Sequence, residues 1–420
     1  MINKYKNLNY PEENGRKEKE SGYILKWWII QNNMIVLFVS PNYGEKGEMP
    51  KGGVGMYLRR VSGALKELGH TPIILSLGTR DRHYVENGIE IFFVHCDYQQ
   101  YNIKAIELVR NTLCKGSAIS KKIKELSQER KIDIIQFSSI SGLAMCYFGK
   151  IPAVMRLSSY AKLYYRDYRN KAEANFHALC ERLAAQRCNA VFAPSNVHAN
   201  SFAADIHRKV SVIETPFWND CETTDDSIYR EKLNGKKYFL FYGRLTATKG
   251  ILVISEILQQ FLQLNPEYYF VCCGIDQGNG YKRILQKSVG KYQDRLIQMK
   301  PLPHKLLYPL IQHADFVILP SLSENFSNAC MEAMYFERVV IGTDGASYEQ
   351  LIDDGKSGLL CIPGDANSLL KKMNEAAAMN EFQKVQMGKN AKKRIERLTP
   401  EITVNKLLRY YRYVIDNINK

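Results

Sequence analysis

The sequence lacks the short motifs that would commit it to a metal or a nucleotide-hydrolysing loop. Ten cysteines stand at 96, 114, 146, 180, 188, 221, 272, 273, 330 and 361, and none forms a Cys-x-x-Cys pair. A zinc ribbon and a disulfide framework are both excluded. Several thiols sit inside apolar runs such as Tyr269–Cys273, the usage expected of buried free cysteines in a reducing compartment. No Gly-x-x-x-x-Gly-Lys-[Ser/Thr] occurs, and Leu58 stands where the third glycine of a dinucleotide fingerprint starting at Gly53 would fall, so neither phosphate loop is present. No apolar core follows the N-terminal lysines as in a signal peptide. The most apolar early stretch, residues 23–39, is interrupted by Lys26 and by Gln31-Asn32-Asn33 and cannot span a bilayer unaided. These absences predict a cytoplasmic protein, soluble or peripheral on the membrane. Short repeats and low-complexity tracts are also missing.

What is present is ordinary globular composition with a basic balance. Of 420 residues, 45% are hydrophobic and 24% charged, enough chain for two full cores. Lysine and arginine number 58 against 43 acids, a net charge of +15. Such a surplus favours acidic partners, namely nucleotide phosphates, anionic lipids or nucleic acid; a generally lysine-rich surface would give the same balance.

From Met34 onward, apolar runs of strand length alternate with helical stretches. The runs are 34–40, 72–77, 89–95, 132–137, 153–157, 190–193 and 210–213, then 238–242, 268–273, 296–299, 316–319, 339–342 and 358–362. Apolar runs without strict alternation fit strands covered on both faces. Intervening helices, such as the one closed by Gly69, make βα units and parallel sheets. The alternation breaks at 216–234, around Asp220, Glu222, Asp225 and Asp226, which predicts a connector between two domains. The expected division is a polar leader (1–33), an N-terminal Rossmann-like domain (34–217), a C-terminal one (218–400) and a final helix (401–420) returning to the first.

Ligands of parallel sheets bind beyond the carboxyl ends of strands, so motifs placed there carry most weight. Pro50-Lys51-Gly52-Gly53-Val54-Gly55 opens a helix after the first strand, where bare amides can approach an anion. Gly243-Arg244-Leu245-Thr246-Ala247-Thr248-Lys249-Gly250 follows residues 238–242. Its arginine offers a fork and its lysine a mobile point charge, a pair suited to gripping a diphosphate. The third motif follows Pro320, with Glu324 in a loop and Glu332 two turns into the next helix. Amides around Asn325 to Asn328 form a helix start suited to a phosphate or sugar hydroxyl, and the two carboxylates can accept hydrogen bonds from vicinal diols.

Together, Gly243-Arg244-Leu245, Lys249-Gly250, the Glu324/Glu332 pair, Ala314-Asp315-Phe316-Val317 and the closing block from Val339 to Leu360 resemble the large family 4 of retaining glycosyltransferases with the GT-B fold. The resemblance implies an α/β architecture of two Rossmann-like βαβ domains facing each other across a cleft. It implies transfer of a sugar from a nucleotide diphosphate-sugar with retention at the anomeric carbon. On that resemblance Arg244 and Lys249 neutralise the departing diphosphate. Glu332 holds the ribose diol, and Glu324 with Asn325, Phe326, Ser327 and Asn328 orients the donor sugar. Gly243, Gly52 and Gly53 approach the diphosphate, while Gly274 and Pro301 frame the base. Cofactors are not expected: the nucleotide-sugar is a substrate, and cations with a helix start can do a metal's work. Asp-x-Asp, the metal-carrying motif of the other large glycosyltransferase fold, is absent, as is His-Glu-x-x-His.

Two features depart from that family. No histidine follows the strand at 153–157; Arg156, Ser158 and Tyr160 stand there as the expected acceptor-side contacts. The connector reads Glu214-Thr215-Pro216-Phe217-Trp218-Asn219-Asp220 in place of the usual Pro-Asn-Gly. Beyond Tyr160, tyrosines and cations interleave to Lys171, and residues 104–131 carry eight Lys or Arg against three Glu. Either stretch could meet an acceptor or an anionic membrane surface. The histidines, His95, His304 and His313 among them, show no ligand spacing and are expected to be structural or exposed. The expected partners are a UDP- or GDP-sugar and a glycan or lipid-linked acceptor in cell-surface polysaccharide synthesis, with peripheral membrane contact and without nucleic acid. The competing readings are a related sugar-nucleotide enzyme of other chemistry, such as an epimerase or phosphorylase, and a non-catalytic basic binding protein.

Overall fold

The computed structural model describes residues 33–418 apart from 45–51 and positions 99, 101, 169, 220, 222, 277 and 279. The expected leader up to residue 32, together with Pro50, Lys51 and Asp220, lies outside the described residues. The chain divides into two compact units. One takes residues up to Lys162, Asn170–Pro216 and Pro400 onward; the other takes Leu163–Arg169 and Phe217–Thr399.

The first unit is built on an eight-stranded sheet. In chain order its strands are β1 (Ile35–Ser40), β2 (Thr71–Gly78), β3 (Arg82–Glu86), β4 (Ile89–His95), β5 (Ile134–Ser138), β6 (Ala153–Arg156), β7 (Ala190–Ala193) and β8 (Ser211–Val212), in the spatial order β3-β4-β2-β1-β5-β6-β7-β8. All neighbours are parallel except the β3–β4 hairpin at one edge. β1 and β5 are almost wholly buried, which is why they appear as plain apolar runs.

Helices α1 (Gly52–Glu67), α2 (Lys104–Glu129), α3 (Lys171–Arg187) and α4 (Asn196–Ile206) cross between these strands. Gly69, at φ +84, closes α1 as its own amide reaches the Lys66 carbonyl and that of His70 reaches Leu65.

The second unit carries a six-stranded, wholly parallel sheet. Its strands are β9 (Lys237–Arg244), β10 (Tyr268–Ile275), β11 (Leu296–Met299), β12 (Phe316–Ile318), β13 (Val339–Thr343) and β14 (Leu359–Cys361), in the order β11-β10-β9-β12-β13-β14. Its helices are α5 (Ser227–Lys232), α6 (Ile251–Leu264), α7 (Tyr281–Ser288), α8 (His304–Gln312), α9 (Asn328–Tyr335), α10 (Ala366–Ala377) and α11 (Glu381–Ile395). Successive residues of β9 feed opposite faces of the sheet: Tyr238, Leu240 and Tyr242 one core, Phe239 and Phe241 the other.

The last helix, α12 (Pro400–Ile418), clusters with the first unit. Its Val404, Leu407, Leu408, Tyr411 and Val414 join Tyr57, Leu58 and Val61 of α1 in one core. The Tyr411 hydroxyl donates to the Gln136 side-chain oxygen, which the Tyr57 hydroxyl also reaches at 3.3 Å.

Candidate donor-binding site at the strand ends of the second unit

The carboxyl ends of β9 and β10 set the floor. Gly243 pairs with Gly274 across the two strands. A Cβ on Gly274 would fall 1.9 Å from the Gly243 carbonyl oxygen, so only glycine lets these strands close. Gly243 itself holds φ +132. Arg244 follows at the end of β9 with an exposed side chain, and the chain turns at once. The Lys249 amide donates to the Thr246 carbonyl at 3.1 Å and that of Gly250 to Ala247 at 3.0 Å. Gly250, at φ +76, starts α6.

This turn is fastened to the loop after β12. The Leu322 amide donates to the Thr248 carbonyl at 2.7 Å. A Cβ on Gly250 would meet the Pro320 carbonyl oxygen at 2.0 Å, so the two loops lie backbone against backbone. The Lys249 ammonium then forms an ion pair with the Glu324 carboxylate. Glu324 is largely shielded, its side chain 12% exposed, and its other oxygen accepts from the Asn325 amide at 3.1 Å. A carboxylate this sheltered needs such partners. Behind it stands Tyr348, wholly buried, whose hydroxyl lies 3.1 Å from that of Ser321. Burial, reinforced by the Glu324 charge, pushes the Tyr348 phenol far above its usual range.

Ser327 caps α9, its hydroxyl accepting from the Cys330 amide at 3.2 Å. Asn325, Phe326 and Ser327 are buried, while Asn328 is half-buried at the helix start. One turn on, Glu332 is 5% exposed. Its carboxylate raises the Tyr242 phenol further above what burial already imposes. It also faces the His304 Nε2 at 3.6 Å. His304 opens α8, stacks on Tyr308 with ring centroids 4.8 Å apart, and places Nδ1 3.2 Å from the Tyr308 hydroxyl. Pro301 is exposed in the loop after β11, held there as the Cys273 thiol donates to the Lys300 carbonyl at 3.3 Å.

The expected site residues of this unit therefore fall on neighbouring strand ends, and the structure adds two that spacing did not mark. His304 was an expected structural or exposed histidine. It stands instead against Glu332, a placement that its position right after the Pro301-Leu302-Pro303 loop could have suggested. Tyr164 belongs to the short segment Leu163–Arg169 that clusters with this unit. Burial pushes its phenol far up, Glu324 raises it further, and Arg244 opposes the rise. Arg244 and Glu324 thus act on the same point.

The expected residues of the first unit are placed differently. Gly52 begins α1 at φ +66, exposed, with open space where a Cβ would sit; Gly53 is exposed beside it. Arg156 is buried, its guanidinium 3.8 Å from the Tyr57 ring centroid and donating to the Thr215 hydroxyl at 2.9 Å and the Ser158 hydroxyl at 3.1 Å. Ser158 is half-buried. Tyr160 is a core side chain, edge-on to Phe202 with its hydroxyl on the Asp205 carboxylate. Nearby, Glu181 of α3 is buried and accepts from the Ala161 amide at 2.9 Å.

Two family models match in tandem: the model described as Glycosyltransferase Family 4 over residues 51–217, and Glycosyl transferases group 1 over 224–394. Residues 224–394 thus match the group 1 glycosyltransferases, and residues 51–217 match their partner domain. Among its relatives, a D-inositol 3-phosphate glycosyltransferase of Corynebacterium urealyticum is 27% identical over 180 residues, 41% of this chain and 42% of that protein. A 2-deoxystreptamine N-acetyl-D-glucosaminyltransferase of Niallia circulans is 24% identical over 157 residues, 37% of this chain and 38% of its own. The matched part of the chain spans less than half the length of those relatives. Solved structures share its α/β fold over nearly the whole chain. Sucrose-phosphate synthase of Thermosynechococcus elongatus superposes with a TM-score of 0.74 at 18% identity, covering 92% of this chain and all of that one. Anabaena HepE, solved in complex with UDP and glucose, gives 0.67 at 15% identity over 90% of this chain and 99% of that one. The fold is therefore GT-B, with two parallel-sheet domains.

Proposed function

We propose that the protein is a retaining glycosyltransferase that moves a sugar from a UDP- or GDP-sugar to a glycan or lipid-linked acceptor. The place of action is the cytoplasm or the cytoplasmic face of the membrane, in synthesis of capsule, exopolysaccharide or lipopolysaccharide. The observation that carries this reading is the ion pair of Lys249 with Glu324, on two loops fastened to each other beyond the ends of β9 and β12. The ammonium is held by the carboxylate. A diphosphate offers it a second anion, and Arg244, exposed at the same strand end, supplies the fork.

In this reading the bond from the anomeric carbon to the diphosphate oxygen breaks while charge grows on the leaving group. Arg244, Lys249 and the α9 amides meet that charge, so they stabilise the transition state more than the ground state. Glu332 receives the ribose diol, with Gly274 and Pro301 beside the base. Glu324 orients the donor sugar. No metal is required by these roles.

The test is turnover of a panel of UDP- and GDP-sugars. Lys249→Ala and Arg244→Ala are each expected to lower kcat by about 10²–10³-fold, Arg244→Ala with an unchanged melting temperature and Lys249→Ala with a lowered one, because it leaves the shielded Glu324 carboxylate without its cation. Activity is expected to persist in EDTA, and proton NMR of the product to show the donor's anomeric configuration. Near-normal rates in both variants would remove the diphosphate-clamp roles.

A further inference from the structure

The first turn of α8 is anchored from several sides. Pro303 precedes it, and the Leu306 and Leu307 amides both donate to the Pro303 carbonyl at 2.9 Å. Pro309, inside the helix, has no amide hydrogen for the Lys305 carbonyl four residues back. The Asp225 amide takes that carbonyl instead, at 2.9 Å. Tyr308 is 1% exposed and packs edge-on to Phe336, ring centroids 4.9 Å apart. His304 and Tyr308 lie one helical turn apart on the same face, which lets their rings stack. The imidazole therefore rests on a fixed support.

Its two nitrogens have different neighbours. Nδ1 meets the Tyr308 hydroxyl at 3.2 Å, and Nε2 faces the Glu332 carboxylate at 3.6 Å. An ionised carboxylate only accepts, so Nε2 carries a hydrogen whether the ring is neutral or cationic. In the neutral ring Nδ1 is then the acceptor, and the Tyr308 hydroxyl donates to it. Tyr308 thus selects the tautomer that points an N–H at Glu332. The Tyr242 hydroxyl gives its own hydrogen to the Ala329 carbonyl at 2.6 Å. At 3.6 Å the attraction from His304 orients the carboxylate without the close hydrogen bond that would occupy an oxygen.

We infer that His304, aligned by Tyr308, is a positioning residue for the donor's ribose: its Nε2–H turns Glu332 toward the 2′- and 3′-hydroxyls. The inference rests on the reading of Glu332 as the ribose acceptor and adds the pair that orients it. The ribose is remote from the bond that breaks, so loss of His304 weakens donor binding and spares the chemical step.

The experiment is calorimetric titration of the full chain with UDP, GDP and their 2′-deoxy forms, together with donor kinetics. In the parent, loss of the 2′-hydroxyl is expected to raise Kd by about tenfold or more, and Glu332→Ala should erase that penalty. His304→Ala should cut the penalty below about threefold and raise KM by about tenfold, with kcat within about twofold of the parent. Tyr308→Phe, which keeps the ring and removes the hydroxyl, should show the same pattern in weaker form. His304→Gln, whose amide can present an N–H to Glu332, should restore part of the penalty. A parent that binds no nucleotide, or binds both sugar forms equally, would remove the ribose reading of Glu332 and the inference with it. A penalty erased by Glu332→Ala yet intact in His304→Ala and Tyr308→Phe would overturn the inference alone. So would a fall in kcat as large as the rise in KM. Should His304→Ala unfold, the Tyr308→Phe comparison decides.

Discussion

The strand-end loops of the two units are built to opposite plans. In the second unit the polar groups beyond β9 and β12 are held by each other at the edge of solvent. Arg244 is exposed, and Lys249 and Glu324 are only partly shielded. In the first unit the polar groups beyond β6 are turned inward. Arg156 is spent on Tyr57, Thr215 and Ser158, Tyr160 on Asp205, and Glu181 on the Ala161 amide. The same residue types are thus left at the edge of solvent in one place and spent on the fold in the other. What separates them is whether a hydrogen-bonding partner already fills each group's capacity.

Substitutions can break this contrast, the largest effect first. Beyond the loss expected for Lys249 and Arg244, Glu324→Gln should cost about 10²-fold in donor turnover while leaving urea unfolding unchanged, because an amide keeps the volume but cannot pair with Lys249. In the first unit the pattern should invert. Arg156→Met should lower unfolding free energy by about 2–4 kcal/mol, because it strands the Thr215 hydroxyl and removes the stack on Tyr57. An unshifted urea midpoint with lost turnover would instead mark Arg156 as an acceptor contact and erase the contrast.

The smallest and most specific effect is one of pH. Burial lifts the Glu181 carboxyl from 4.5 to about 8, opposed by hydrogen bonds from Ala161 and Ser159. The folded state therefore prefers the neutral acid, whereas the unfolded chain releases the proton near pH 4.5. The group's contribution to stability is complete below that value and is lost as pH rises to about 8. Glu181→Gln, neutral throughout, should flatten this decline. Its melting temperature should match the parent's near pH 5 and exceed it by several degrees at pH 8.5. Parallel curves would show that Glu181 does not titrate in the fold.

The strands were legible in the sequence where burial on both faces made them plain apolar runs, as in β1, β9 and β10. β3 was not, because Arg82–Glu86 is an edge strand with alternating exposure. Its one signal is Asn87-Gly88, whose φ values of 49° and 70° make the tight turn into β4. The run at 210–213 pairs over only two residues, β8. In the candidate site, Arg244, Lys249, Glu324 and Glu332 could be marked because each follows a strand end at short range. Tyr164 could not, since tertiary packing alone brings it to Glu324; for His304 the one signal is its place right after the Pro301-Leu302-Pro303 loop. Arg156 shows the converse difficulty: a polar residue at a strand end looks the same in sequence whether it awaits a ligand or braces a core.

The carbonyl of Pro320 pressed against Gly250 has a bearing on engineering. Segments some seventy positions apart along the chain behave as a single mechanical part, clamped at Thr248 and Leu322. A chimera that imports one segment from a relative would mate it to a counterpart shaped for something else. Transplanting substrate preference among these proteins should therefore succeed only when both segments travel together, glycine included.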